Sequence, residues 1–263
     1  IALRDEGSSF RVGDRVAVAL ISHPMEKLQL SASIGLGFDG GFAEFVTAPV
    51  THVVRIPDKV SFEQAAVATD SISTAYHAII TEAKVTSTTT VAVVGLGGLG
   101  LNGLRIAALQ GACVYGIDIN PNKCAAATKL GAIECFASLD SMKDVTIDVV
   151  VDFVGLSGTL SKAITAVKAG GRVVAVGLGE NEINLPLFTL VTRGIELKGS
   201  IGASLQDLHC ALALIASGDI CPVLEGIPFT DLVKGFDRLE RGEVNGRLFT
   251  RPLENGQDTS KLA

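Results

Sequence analysis

Two features of this chain carry chemistry in their residue types and spacing. The first is Gly95-Leu96-Gly97-Gly98-Leu99-Gly100, which follows directly on Val91-Ala92-Val93-Val94. A β-branched run, then G-x-G-x-x-G, then helical spacing over residues 101–110 are the parts of a dinucleotide-binding βα unit. In that unit Gly95 turns the backbone sharply, and Gly97 removes the Cβ that would block a pyrophosphate. Gly98 and Leu99 lead into the helix, whose N-terminal N–H groups face the phosphates, and Gly100 lets helix and strand pack closely. The same glycines would also suit an ordinary turn, so a second residue must decide. That residue is Asp118, at the end of the next apolar run and 23 residues after Gly95. A carboxylate there accepts both ribose hydroxyls of NAD and repels the 2′-phosphate of NADP.

Composition bounds what surrounds this unit. The 263 residues can hold one large domain or two modest ones, with ample core. Mean hydropathy is +0.43, and residues 85–104 carry no charged side chain. Their five glycines and four threonines suit a buried strand and phosphate loop better than a membrane span. A net charge of −6 without a basic cluster argues against nucleic acid and anionic membranes as partners. Cys113, Cys124, Cys135, Cys210 and Cys221 form no C-x-x-C pair. They read as reduced core thiols of a cytoplasmic protein, neither a disulfide frame nor a zinc cluster. The opening Ile1-Ala2-Leu3-Arg4 reads as a chain joined mid-domain, so a missing N-terminal segment is expected.

The elements that must position these residues follow in order. Strands are expected at Val16-Ala17-Val18, over residues 40–46, and at Val53-Val54-Arg55-Ile56. Ser61 should cap a helix with Glu63 in its first turn, and two helices broken near Asp70-Ser71 should cover residues 65–80. From Thr90 strands and helices alternate. The expected strands cover 91–95, 113–118, 133–136, 147–154, 172–177 and 195–201, with helices at 99–110, 122–130, 159–168 and 187–193. Apolar strands between helices mean a parallel sheet covered on both faces, here a Rossmann doubly wound α/β fold. A helix at 205–217, a strand at 223–227, a helix at 230–241 and a strand at 246–250 follow, ending in a polar tail, 254–261.

Several strings, in this order, resemble the medium-chain dehydrogenase/reductase superfamily: Val12-Gly13-Asp14-Arg15-Val16, Gly41-Phe42-Ala43-Glu44, Ile56-Pro57-Asp58, Thr74-Ala75-Tyr76-His77-Ala78, the glycine run, Lys198-Gly199-Ser200 and Gly246-Arg247. Within it the chain is most similar to zinc-dependent alcohol dehydrogenases. The resemblance implies a partial GroES-like catalytic domain over 1–75, an NAD-binding Rossmann domain over 76–202 and a return to the catalytic domain over 203–263. It implies a catalytic zinc ligand four residues before Thr74, which is Asp70; a solvated, helix-breaking Asp is the alternative. The family's other two ligands and its four-cysteine lobe have no counterpart, residues 21–35 standing where the lobe would be. One ligand of three should not hold zinc firmly.

The resemblance also implies a cofactor shell. Thr74 would touch the nicotinamide, Phe153, Val154 and Gly155 would lie near the adenine, and Val176, Gly177 and Leu178 would flank the nicotinamide. Ser200 and Ile201 would close over it, and Arg247 would reach the pyrophosphate unless it forms a surface ion pair. Lys123 would reach the ribose or else remain a solvated helix lysine. His77 reads as a core residue, His209 as structural, and His23 and His52 have no assigned role. The function implied is NAD-dependent hydride transfer between a small alcohol or carbonyl substrate and nicotinamide, in a homodimer or homotetramer. A zinc-free enoyl or quinone reductase of the same superfamily, and a nucleotide-binding protein without catalysis, are the alternatives.

Overall fold

The structure, a computed structural model, describes residues 9–21, 24, 31, 33–244 and 246–252. The chain divides into two compact units, Ser71–Gly202 and the remainder, Ile1–Asp70 with Ala203–Ala263.

In Ser71–Gly202 six strands form one parallel sheet: β3 (Thr90–Val94), β4 (Cys113–Ile117), β5 (Glu134–Phe136), β6 (Ile147–Asp152), β7 (Val167–Ala175) and β8 (Glu196–Gly199). Their order is β5-β4-β3-β6-β7-β8, so the winding reverses beside β3, where doubly wound sheets open a ligand crevice at their carboxyl ends. Helices α3 (Gly100–Leu109), α4 (Pro121–Lys129), α5 (Ser157–Ala166) and α6 (Leu187–Thr192) fill the crossovers. The central strands β3 and β6 are apolar runs because both their faces are covered: Val91, Ala92 and Val93 of β3 and Val150 and Val151 of β6 are fully buried. Strand β7 starts five residues earlier than its expected position, because Gly170 takes φ +70° and carries the chain through a register shift against β6.

The other unit holds β1 (Val16–Val18) antiparallel to β2 (Val53–Arg55), with Arg15 donating to the carbonyls of Pro57 and Val60. Helix α1 (Phe62–Val67) starts at Ser61, whose hydroxyl and Gln64 form a reciprocal capping box. Helix α7 (Leu205–Ala216) begins in the same way, with Ser204 and Asp207. Parallel strands β9 (Leu224–Gly226) and β10 (Arg247–Phe249) enclose α8 (Leu232–Glu240) in sequence.

Three expectations are corrected. Residues 40–46 form no strand; Phe45 and Val46 are exposed, and Phe42 sets its ring edge-on against Phe236 instead of joining a ladder. Near Asp70 there is no helix break. A π-turn (Ala68–Ile72), α2 (Ser73–Tyr76) and a second π-turn (His77–Glu82) continue from α1. Ser71 and Ile72 are buried there, where a break would strand backbone polar groups; a widened turn keeps them bonded. The cysteines are not all reduced core thiols either. Cys124 and Cys135 are joined in a disulfide, and Cys113 and Cys221 are exposed. The 254–261 tail, His23 and most of 21–35 lie outside the described residues.

Candidate functional site

The glycine run spans the gap between β3 and α3. Gly95 has φ +84°, a left-handed turn that an L side chain would strain. At Gly100 a Cβ would stand 1.8 Å from the Gly95 carbonyl oxygen, so the start of α3 lies directly against the turn. At Gly97 a Cβ would meet nothing within 4 Å. The loop therefore presents bare backbone to open space at Gly97. Leu99, the N-cap of α3, offers no side-chain cap to the first-turn N–H groups, and Gly98 accepts from Asn102 Nδ2 at 2.7 Å. An uncapped helix N-terminus beside a cleared space suits an anionic phosphate.

Asp118 closes one side of this cradle. Its Oδ2 accepts the Leu96 N–H at 2.8 Å and its Oδ1 the Asn120 N–H at 2.9 Å. Lys123 Nζ stands 3.5 Å from Oδ2. The carboxylate is thus turned toward the glycine loop, its side chain 7% exposed. Next to it Ile119 is 89% exposed, an apolar side chain held in solvent at the rim. Sequence reasoning passed over Ile119, because an isoleucine's exposure is not written in the chain.

The loops after β6 and β7 face each other closely. A Cβ on Gly155 would stand 2.0 Å from the Gly177 oxygen, and one on Gly177 would stand 2.2 Å from the Val154 carbonyl carbon. Asp152, fully buried, governs both loops. Its Oδ1 accepts the N–H groups of Val154 at 2.7 Å and Gly155 at 2.9 Å. Its carbonyl accepts those of Val176 at 2.8 Å and Gly177 at 3.1 Å. Glu180 fastens the second loop to the start of α5, its Oε2 accepting the Ser157 hydroxyl at 2.5 Å and the Ser157 N–H at 3.0 Å. Those two bonds, the hydroxyl first, hold the Glu180 carboxyl below the ordinary glutamate range. Neither Asp152 nor Glu180 was anticipated, because each acts on a loop whose position depends on another strand.

The Val154 side chain lies against Gly95, where a Cβ would come within 2.4 Å of Cγ2. Ser200, just past β8, donates its N–H to Ala175 O at 2.9 Å, while its buried Oγ has no partner among the described residues. Ile201 and Leu178 are exposed, and Thr74 is buried in α2. These residues and the cradle belong to Ser71–Gly202, and all but Thr74 follow the carboxyl ends of its strands. Asp70 and Arg247 belong to the other unit, Asp70 exposed in its π-turn and Arg247 on β10. His77 is buried with Nε2 3.2 Å from Glu82 Oε1, and His52 and His209 belong to the other unit.

The donor set for a metal is thin. Among the described residues no group of three or more His, Cys, Asp or Glu could hold an ion. One exposed carboxylate at Asp70 does not fit zinc. The dinucleotide fits better, on the cleared space at Gly97, the uncapped α3 and the oriented Asp118. No helix is long and apolar enough to cross a membrane among the described residues.

A family model described as zinc-binding dehydrogenase matches residues 98–217. An alcohol dehydrogenase of Geobacillus stearothermophilus is 30% identical over 94% of this chain and 78% of its own length. Among solved structures, acetophenone reductase from Geotrichum candidum in complex with NAD superposes with a TM-score of 0.85 at 27% identity, over 97% of this chain and 78% of that one. The alcohol dehydrogenase of the hyperthermophilic archaeon Aeropyrum pernix gives 0.81 at 25% identity, over 93% and 78%.

Proposed function

The chain belongs to the alcohol dehydrogenase family, and from that premise we propose that it is an NAD-dependent oxidoreductase passing hydride between an alcohol or carbonyl compound and nicotinamide. The observation that carries this reading is Asp118, turned onto the glycine loop with its carboxylate already bonded to Leu96 N–H. A ribose brought over Gly97 meets an acceptor for its hydroxyls, and a 2′-phosphate meets a negative charge instead. The similarity to a structure solved with NAD supports the same cofactor.

In this reading the first-turn N–H groups of α3 hold the pyrophosphate, Lys123 stands at the ribose and Ile119 gives the adenine an apolar surface. Val154 and Gly177 shape the slot between the two loops, which Asp152 and Glu180 keep in place. Ser200 Oγ, buried and unpartnered, is a polar atom for the carboxamide, with Ile201 beside it. Thr74 joins the shell on the family pattern, a pattern that also calls on Arg247 for the pyrophosphate and on Asp70 as one metal ligand; among the described residues no group of three donors makes up a metal site. Bound NAD supplies the hydride acceptor; the protein supplies placement and a slot that limits water. No step here runs through a metal.

Two copies pairing through β8, an edge strand of the six-stranded sheet, would give the oligomer expected on the family pattern. A cytoplasmic setting belongs to the same reading, provided that it tolerates the Cys124–Cys135 bridge.

The test is turnover. Primary and secondary alcohols offered with NAD, and the matching aldehydes and ketones with NADH, should give absorbance changes at the nicotinamide band. NAD binding without turnover of any of them would leave a nucleotide-binding protein, and activity confined to NADPH and enoyl or quinone substrates would favour the zinc-free reductase.

A further inference from the structure

The disulfide lies inside the hydrogen-bond ring that holds Asp118. On one side Asp118 Oδ1 accepts the Asn120 N–H. Asn120 is the N-cap of α4, and its carbonyl accepts the N–H groups of Lys123 at 3.1 Å and Cys124 at 3.3 Å. On the other side the Asp118 N–H donates to Phe136 O at 3.0 Å. Phe136 follows Cys135 on β5, a three-residue edge strand paired only with β4. The Cys124–Cys135 bond closes this ring, with its Cα atoms 5.3 Å apart. Gly116 makes room for it, since a Cβ there would come within 3.3 Å of Cys135 Sγ and 3.4 Å of Ala127 Cβ. Both half-cystines keep partial exposure, so a small thiol can reach them.

We propose that the Cys124–Cys135 bridge is a thiol-exchange site whose redox state sets the affinity of the Asp118 cradle for NAD. The reactant is a dithiol, small or protein-borne. One dithiol thiolate attacks a bridge sulfur; the Cys124–Cys135 S–S bond breaks, a mixed disulfide forms and the released cysteine takes up a proton. The second dithiol sulfur then displaces the other cysteine. The bridge gains two electrons and two protons, and the dithiol loses both and closes as its own disulfide. With the bond gone, the first turn of α4 and the short edge strand β5 lose their covalent link and are joined through the hydrogen bonds of Asp118 to Asn120 and Phe136. Asp118 is then less well fixed for the ribose, and each NAD must order it on binding. By linkage the effect is reciprocal: bound NAD resists reduction of the bridge by the factor by which reduction weakens NAD.

The inference rests on the dinucleotide reading above. Calorimetric titration with NAD before and after dithiothreitol treatment, alongside thiol counting in denaturant, tests it. Three thiols should be found before reduction and five after, matching the three free cysteines and the one bridge. Reduction should raise the NAD dissociation constant roughly three- to tenfold. The dithiothreitol ratio that half-reduces the bridge should rise by the same factor at saturating NAD. Cys124→Ser/Cys135→Ser should bind like the reduced protein; if it fails to fold, the redox titration of the wild-type chain stands alone. Five thiols before reduction, or equal affinity in both states, overturns the exchange site and leaves the cradle untouched. Absence of NAD binding in both states overturns the two readings together.

Discussion

Replacing Asp118 with Asn isolates the charge at the point where NAD and NADP differ. The carboxylate's two structural bonds, from Leu96 N–H at 2.8 Å and Asn120 N–H at 2.9 Å, can be only half kept by an amide, because its NH₂ must face one of the two donors. Some loosening of the loop is therefore built into the variant. The ratio of the two affinities avoids that complication, since the cofactors share every contact except the one at the ribose 2′ position. For NAD, a charge-assisted hydrogen bond weakens to a neutral one; such bonds contribute about 1.5–3 kcal/mol, so losing part of one should cost about tenfold. For NADP, removal of a full charge about 4 Å from the 2′-phosphate relieves repulsion of up to about 4 kcal/mol at an effective dielectric near 20. The Asp118 side chain is only 7% exposed, so solvent screens little of that. Taken together, the NAD-to-NADP preference should fall by about a hundredfold or more. Because the chain contains no tryptophan, titration calorimetry is a better assay than intrinsic fluorescence. An unchanged ratio, with both affinities falling in parallel, would refute the assignment of Asp118 to the ribose.

Gly97→Ala places its methyl in open space, so its melting temperature should match wild type while NAD binding weakens at least about tenfold; a stability loss would contradict the cleared space. Gly100→Ala drives a Cβ into the Gly95 carbonyl, and overpacking of about 1–3 kcal/mol should lower the melting temperature by several degrees in differential scanning calorimetry. Glu180 has a carboxyl held below its ordinary 4.5, so its bonds to Ser157 stabilise the fold above that pH and are lost as pH falls through the depressed value. The melting-temperature gap between wild type and Glu180→Gln should therefore narrow below pH 4.5; a constant gap would show that the carboxylate is not what fastens the loop. Elemental analysis should find well under one zinc per chain, unchanged in Asp70→Ala, because one exposed carboxylate cannot retain the ion.

What could be read from the chain was what neighbours along it determine. The glycine spacing, the β-branched run before it and the carboxylate at the end of the next strand all lie within about one βα unit, so their geometry is local. The central strands β3 and β6 were legible because burial on both faces leaves continuous apolar runs. Positions decided by distant partners were not. Cys124 meets Cys135 because α4 folds back beside an edge strand, and the sequence spacing of 11 carries no sign of it. Asp152 reads as a strand-ending polar residue until β7 brings Val176 and Gly177 to its carbonyl. Residues 40–46 carry Phe42, Phe45 and Val46 but pair with no strand among the described residues. At Asp70 a helix-breaking residue was read as a break, whereas the burial of Ser71 and Ile72 favours a widened turn.

The central claim is that the Asp118 carboxylate and the bare backbone at Gly97 together receive an unphosphorylated dinucleotide. A crystal structure of the chain soaked with NAD addresses it most directly. The account predicts the adenosine ribose hydroxyls within hydrogen-bond distance of Asp118 and the pyrophosphate over Gly97 at the start of α3. A dinucleotide bound elsewhere, or its ribose turned away from Asp118, would contradict it.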